Sequence, residues 1–368
     1  MRAVVYRGVN DLRVETVPVP HIQSNELLVQ VAACGVCPTD IKKIQFGTVP
    51  PPRIFGHETA GTISQVGARL KGFRVGERVA LHHHVPCLDC HACRHRAFAQ
   101  CAQYKRTGIT AGFEPAGGGY AEYVRVLAFV LPGLVKIPAR NSFLEGAMLE
   151  PVNTVLKAIK RLSLLPEDFV LVIGQGPIGL MFTRLLALRG MIVVASDYLP
   201  ARLKLAKRLG AKYALRADEK SFCPKAMELT RGRGLDAAIV TVPSDAAVHQ
   251  AQELARGAGQ VLLFAHTRRG VSTELDLSAV CVEEKDLIGS YSSDFTLQNQ
   301  VAKLVFGRRF DVRGLITHQF PLEHTEDAIQ LAAHPAGGSL KIVIVQDEGP
   351  GCWKRSSRSG SVQKSVSI

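Results

Sequence analysis

Along the first 152 residues, apolar positions recur as short runs broken by Gly and Pro: "ELLVQVAACGV", "AGTISQVG", "GERVALHHHV". That texture predicts a mostly β, irregular region. The opening stretch, "MRAVVYRGVNDLRVETVPVP", alternates apolar and polar residues as a strand does. From about 153 to 292 the pattern changes. "FVLVIG" runs into a helical period from about 177, "MIVVASD" precedes "LPARLKLAKRLG", and "LDAAIVTV" and "GQVLLFAH" follow. Strand alternating with helix predicts βαβ units and a parallel, doubly wound sheet. From 293 to 346 the texture is mixed again and ends in the strand "SLKIVIVQ". The expected fold class is α/β, with a β-rich domain over 1–152, completed by 293–346 and interrupted by a cofactor-type domain over 153–292. Residues 347–368 are rich in Ser, Lys and Arg without apolar period, which predicts a disordered tail.

A chain of 368 residues is long for one core and fits two domains. Its 46% hydrophobic and 21% charged residues match globular proteins in water. The first residues lack the apolar run of a signal peptide. The most membrane-like stretch, "VLVIGQGPIGLMFTRLLAL", is interrupted by Gly, Pro, Gln and Arg, which suits strand, turn and helix better than a bilayer span. The expected compartment is therefore the reducing cytoplasm, where nine cysteines point to metal or catalysis before disulfides. The net charge of +13 is scattered along the chain apart from the tail. It reads as a solvated basic surface rather than a nucleic-acid site, and leaves room for attraction of anionic substrates or cofactors.

The first chemical motif is "GQGPIG", with Gly174, Gly176 and Gly179 around Pro177 and Ile178. It sits between a strand and a helix, where such a turn can admit a pyrophosphate to free N–H groups at the helix start. Asp197 closes the next strand, 21 residues after Gly176. A carboxylate there accepts from the adenosine ribose and repels a 2′-phosphate, favouring NAD, while nearby Arg202 leaves NADP possible. The second motif, "CLDCHACRHRAFAQC", places Cys87, Cys90, Cys93 and Cys101 within fifteen residues. Disulfides, metal ligands and uncommitted thiols are the three readings; four thiolates on a short loop can close a tetrahedral zinc shell. Three further pieces are "CGVCPTD" with Cys34, Cys37, Thr39 and Asp40, "GHE" with His57 and Glu58, and "MLEPVN" with Glu150. Cys34 reads as buried packing. Thr39 and Asp40 both have a helix-capping reading. "HHH" at 82–84 lacks ligand spacing and reads as cleft edge, and "GGGYAEYV" reads as a turn into a strand without chemistry of its own.

The order of Cys37, "GHE", the four-cysteine loop, "EP" and the glycine turn resembles the zinc-dependent medium-chain dehydrogenases, over roughly residues 1–346, and within them the sorbitol or polyol branch. Leu70 and Pro38 depart from the family's usual residues, and neither replaces a ligand. The resemblance implies a GroES-like catalytic domain, a Rossmann cofactor domain and two zinc ions per chain. Cys87, Cys90, Cys93 and Cys101 would hold the structural zinc. Cys37 and His57 would hold the catalytic one, with Glu58 as the direct carboxylate and Glu150 either ligating or holding water; the sequence leaves both carboxylates open. Lys341 falls where the family often places a base near the cofactor pyrophosphate, or is a surface lysine. Thr39 would pass the alcohol proton outward. The expected enzyme moves hydride between a secondary alcohol, most plainly a polyol, and NAD, in a homodimer or homotetramer without membrane or nucleic-acid partners. The alternatives are threonine 3-dehydrogenase-like oxidation of an amino alcohol, and a zinc-stabilised NAD-binding protein without turnover.

Overall fold

The computed structural model describes residues 1–82, 85–106, 117–265, 270–336 and 338–346, so the 347–368 tail expectation lies outside the described residues. A six-stranded, wholly parallel sheet occupies the middle of the chain. Along it the strands run Tyr213–Arg216, Ile192–Asp197, Phe169–Ile173, Leu235–Val240, Ala255–Leu263 and Asp286–Gly289. Chain order reverses between Phe169–Ile173 and Leu235–Val240, and ligands of such sheets bind in the crevice at that switch point. The strands are apolar on both faces. Val170 and Val172 enter one core with helices Leu149–Ile159 and Pro177–Ala187, while Leu171 and Ile173 enter another with Phe222–Glu228 and Asp245–Leu254. This double burial is why their sequences read as continuous apolar runs. The two edge strands, "YALR" and "DLIG", are half-buried or exposed and lack that signal, so the sequence pattern passed over them.

A second, mixed sheet places Ile316–Pro321 beside Lys341–Val345, then Leu27–Gly35, Glu58–Val66, Arg78–Ala80 and Val135–Lys136, with Tyr123–Val126 also paired to Leu27–Gly35. Residues from before and after the parallel sheet thus share one ladder. The opening stretch is a hairpin, Arg2–Gly8 with Asp11–Thr16, rather than one strand, and it pairs on with Arg53–Ile54. Register in the mixed sheet gathers distant parts of the chain. Gly35 lies opposite Glu58 and Val343 opposite Gly35, so three chain segments meet at one edge: the residues after 35, those before 58 and those before 343. Helix Leu149–Ile159 is buried on nearly all sides, and its apolar residues join Ala33, Ala60 and Val343 of the mixed sheet to Val170 and Val193 of the parallel one. The two sheets therefore share a core.

Only a hydrogen fits at two positions of the glycine turn. A Cβ on Gly174, whose φ is +89°, would meet Val242 and Thr241 at 2.6 and 2.8 Å; one on Gly179 would lie 1.8 Å from the Gly174 carbonyl. At Gly176 nothing lies within 4 Å, which leaves open space for a ligand. Gly179→Ala is therefore expected to push the turn off the helix start and raise the NADH dissociation constant at least tenfold, read by NADH fluorescence titration.

Candidate active site and metal centres

The strand edge brings together side chains far apart in sequence. Cys37 caps the start of helix Pro38–Phe46, and His57 and Glu58 open the strand paired with the one leading to Cys37. Their sulfur, imidazole nitrogen and carboxylate oxygen all lie within 4.8 Å of one another. Glu58 is 1% exposed and His57 4%. The His57 Nδ1 shares a 3.1 Å hydrogen bond with Oδ1 of fully buried Asp40, which fixes the ring and turns its other nitrogen to the cluster. The Tyr120 hydroxyl donates to Asp40 Oδ2 and to the Gly35 carbonyl, each at 3.4 Å. The Lys341 ammonium pairs with Glu58 Oε2 and donates to the Val36 carbonyl at 2.8 Å. Gly35 makes room for this pair, since a Cβ there would come 1.9 Å from Glu58 Oε2 and 2.9 Å from Lys341 Cε.

The charges at this edge depend on one another. Burial would push the Asp40 carboxyl up, yet His57, by charge and hydrogen bond, holds it below the usual range. Burial opposes a charged His57, but Asp40 and Cys37 raise its pKa well above the ordinary value. Lys341 is likewise raised against its own burial, by Glu58 and Cys37. Glu150, in the first turn of Leu149–Ile159, is pushed up to about 7, first by burial and, against the pull of His57, by Glu58. Thiolate, imidazole and carboxylate are the donor types of a three-ligand zinc site with an open position. Cys37, His57 and Glu58 form that set here; the Glu150 carboxylate, which accepts from Thr154 Oγ1 at 3.3 Å, is not part of the 4.8 Å group. Thr39, half-buried, opens from this edge into a cleft of about 1340 Å³ between the two sheets, shared with Phe264, Ser290 and Tyr291.

The four clustered cysteines form a second centre. Cys87, Cys90, Cys93 and Cys101 are free thiols whose sulfurs lie within 4.8 Å of one another. Cys90 and Cys93 are 3.5 Å apart and Cys87 and Cys93 3.9 Å. A disulfide needs about 2.04 Å, whereas four sulfurs at about 2.3 Å from one zinc stand about 3.8 Å apart. Backbone N–H groups of Asp89 and Cys90 lower the Cys87 thiol. Burial would raise Cys101, but the N–H of Cys87 and those of the following turn bring it down to about 6. Burial first, then the neighbouring sulfurs, push Cys93 up to about 12. N–H groups aimed at sulfur suit thiolates held by a metal. Helix Ala102–Arg106 follows directly, and its Tyr104 hydroxyl bonds to Ser292, tying this lobe to the end of the parallel sheet.

At the switch point the glycine turn keeps its helix start open: Gly176 caps Pro177–Ala187 without any side-chain bond, and Pro177 and Ile178 begin the helix. Asp197 accepts from the Gln175 N–H at 2.6 Å and the Leu199 N–H at 2.8 Å. Arg202 reaches to 3.8 Å of its carboxylate, and its Nε is buried without a hydrogen-bond partner.

Comparison with known proteins agrees with this geometry. The profile of the alcohol dehydrogenase GroES-like domain matches residues 23–139, and that of zinc-binding dehydrogenases matches residues 177–306. The sorbitol dehydrogenase of Bombyx mori is 30% identical, covering 93% of this chain and 97% of its own. The sorbitol dehydrogenase of Bacillus subtilis is 29% identical, covering 94% and 97%. The chain belongs to the zinc-binding alcohol dehydrogenase family. Among solved structures, the alcohol dehydrogenase of Thermus sp. ATN1 superposes with a TM-score of 0.83 at 26% identity, over 94% of this chain and all of that one. The GroES-like and Rossmann expectation for the fold, and the polyol-branch resemblance, hold.

Within this dehydrogenase several sequence expectations need correction. Asp40 is no helix cap; the cap is Cys37, and Asp40 faces inward onto His57. Thr39 makes no capping bond either. Lys341 is neither a surface lysine nor engaged at the glycine turn: its ammonium is committed to Glu58 and Val36. The "GGGYAEYV" stretch carries Tyr120, a partner of Asp40, and its Gly119 has no room for a Cβ, which would lie 2.3 Å from Thr59 Oγ1 and 2.5 Å from Cys34 Sγ. Cys34 is core, as expected, and burial lifts its thiol to about 12. His82 is no cleft-edge residue but fully buried between Gln298 and Ser293; His83 and His84 lie outside the described residues. No helix among the described residues is long and apolar enough to cross a membrane.

Two substitutions probe these centres. Asp40→Asn keeps the shape but removes the charge behind His57, and should weaken metal retention or activity by about 10- to 100-fold in chelator competition and turnover assays. Cys101→Ser should lose one metal equivalent by elemental analysis and lower the midpoint of thermal unfolding by on the order of 10 °C.

Proposed function

We propose that this dehydrogenase interconverts a secondary alcohol of a polyol and the corresponding ketone, using zinc at Cys37, His57 and Glu58 and NAD along the glycine turn. The observation that carries the reading is a buried thiol–imidazole–carboxylate set at a sheet edge from which Thr39, two residues beyond Cys37, opens into the cleft at the carboxyl ends of the parallel strands. Bound at those residues, zinc would supply a Lewis acid that eases loss of the alcohol proton, and the nicotinamide would accept hydride. The chain's own residues do the rest. Asp40 holds the His57 tautomer and ring plane. Lys341 balances the Glu58 charge. The Thr39 hydroxyl, lining the cleft, takes up the substrate hydroxyl's proton as it passes its own outward. Glu150, buried and high in pKa, faces the same edge and can orient a polar group there.

The relatives named sorbitol dehydrogenase support the polyol reading over amino-alcohol oxidation. The donor set, complete at Cys37, His57 and Glu58, supports turnover over a binding-only protein. Asp197, anchored by two N–H groups, supports NAD as the preferred cofactor, with Arg202 near enough to ease a 2′-phosphate once that carboxylate is gone. Zinc at Cys87, Cys90, Cys93 and Cys101 completes two ions per chain. By family resemblance the enzyme is cytoplasmic and a homodimer or homotetramer.

In a dehydrogenase screen over polyols, simple alcohols and threonine, the highest kcat/KM is expected for a polyol with NAD; preference for threonine would refute the substrate assignment. Cys37→Ser should lose turnover by at least a thousandfold while NADH binding changes little. Asp197→Ala should shrink the NAD over NADP preference at least tenfold, measured as the ratio of kcat/KM values.

A further inference from the structure

The cleft into which Thr39 opens carries more positive charge than an uncharged substrate needs. Three separate elements contribute: Lys42 and Lys43 from helix Pro38–Phe46, Arg96 from the loop of the four-cysteine lobe, and Lys157, Lys160 and Arg161 from the end of helix Leu149–Ile159. Two acids, Asp245 and Asp294, line the same space; Asp294 Oδ1 accepts from the Thr296 N–H and hydroxyl at 2.9 and 2.7 Å, and its charge offsets part of that on Lys157. The chain pairs many of its cations with carboxylates, as at Arg7–Glu15, Arg125–Glu26 and Arg256–Asp236. Among the described residues, none of Lys43, Arg96, Lys157, Lys160 and Arg161 is in such a pair. Lys157 and Arg161 donate to the Tyr291 and Gly289 carbonyls, which orients them without neutralising them.

Ordinary explanations account for part of this. A helix C-terminus favours a cation in its last turn. It does not favour three on one face, because Lys157 repels Lys160 and Arg161 at three and four residues' spacing. Nor does the cofactor pyrophosphate sit beside them: the glycine turn follows strand Phe169–Ile173, whereas Arg161 donates to Gly289 at the end of the edge strand Asp286–Gly289, three strands away. A cleft lined by one sign of charge concentrates the opposite sign inside it, and charge-assisted hydrogen bonds to phosphate are the stronger kind.

We infer that the cleft holds an anionic group of the substrate, and that the preferred substrate is the phosphate monoester of a polyol, with its reacting hydroxyl at the Cys37–His57–Glu58 edge and its phosphate among Lys157, Lys160 and Arg161. The inference rests on the polyol-dehydrogenase reading for the chemistry, but its binding site is separate from it. A dianionic phosphate satisfies two or more of these cations at once, which a hydroxyl of a free polyol does not. The four-cysteine lobe gains a second role, since Tyr104 and the edge-to-face contact of Phe98 with Phe295, centroids 5.5 Å apart, hold the lobe and its Arg96 against this cleft.

The test compares ribitol with ribitol 5-phosphate and sorbitol with sorbitol 6-phosphate on the zinc-loaded full chain. Turnover with NAD gives kcat/KM, and calorimetric titration into the enzyme–NADH complex gives Kd. At least a tenfold preference for an ester is expected in both measurements, shrinking at 0.3 M salt. In Lys160→Gln/Arg161→Gln, both exposed side chains, the ester-to-polyol ratio should fall at least fivefold, while the NADH dissociation constant stays put. Gluconate, with a single charge, should gain less than either ester. Esters that bind no better than the free polyols, an ester preference indifferent to the double variant, or an equal gain for gluconate would each overturn the inference. Ester binding that follows the double variant, without turnover of any compound, would strike the dehydrogenase reading and leave the anion site standing.

Discussion

The antiparallel register that sets Gly35 opposite Glu58 is the constraint on which the site depends. It delivers the Cys37 sulfur, at the end of one strand, to the imidazole and carboxylate at the start of the next. The third strand, in register through Val343 opposite Gly35, carries Lys341 to the same point. A slip of one residue would turn these side chains to the other face of the sheet. Gly35 itself supports the arrangement, being too small to displace the Glu58–Lys341 pair. The outcome is a nearly water-free concentration of thiol, carboxylates and one imidazole, where burial makes each uncompensated charge costly. Asp40 offsets that cost for His57 and Lys341 for Glu58, and a cation held by the cluster would offset it further.

Around this edge the fold does two further things. Helix Leu149–Ile159 is held in the core between the two sheets, so its first turn, with Glu150, and its last, with Lys157, are fixed relative to the cleft. The parallel sheet ends at the same cleft, and its switch-point turn leaves space only at Gly176, flanked by two glycines with none to spare. The thiol–imidazole–carboxylate set and the glycine turn thus belong to different sheets but to one packed body, an arrangement able to hold a reacting carbon and an acceptor at a fixed distance.

What could be read in the sequence depended on how local each signal is. The glycine turn and the four-cysteine lobe are complete within six and fifteen residues, so both stood out as motifs, and the family resemblance then chose the zinc reading among those open for the cysteines. The central strands of the parallel sheet were legible because burial on both faces leaves them uniformly apolar. Its edge strands, open to solvent on one side, carry no such pattern. Asp40, Tyr120 and Lys341 were misjudged for a different reason. Their roles depend on contacts across 17, 80 and 283 positions, between Asp40 and His57, Tyr120 and Asp40, and Lys341 and Glu58. An Asp in the first turn of a helix looks like any capping acid until the strand that supplies His57 is laid beside it. One faint signal was present: Asp40 stands among the apolar positions Val36, Ile41 and Ile44, whose periodicity turns it toward the core.

Anomalous diffraction at the zinc absorption edge, from crystals of the purified full chain, tests the central claim most directly. Two peaks per chain are predicted, one among Cys87, Cys90, Cys93 and Cys101 and one at about 2.0–2.3 Å from Cys37 Sγ, a His57 nitrogen and a Glu58 oxygen. A single peak at the four cysteines, with Cys37, His57 and Glu58 ordered around no metal in zinc-saturated crystals, would contradict it.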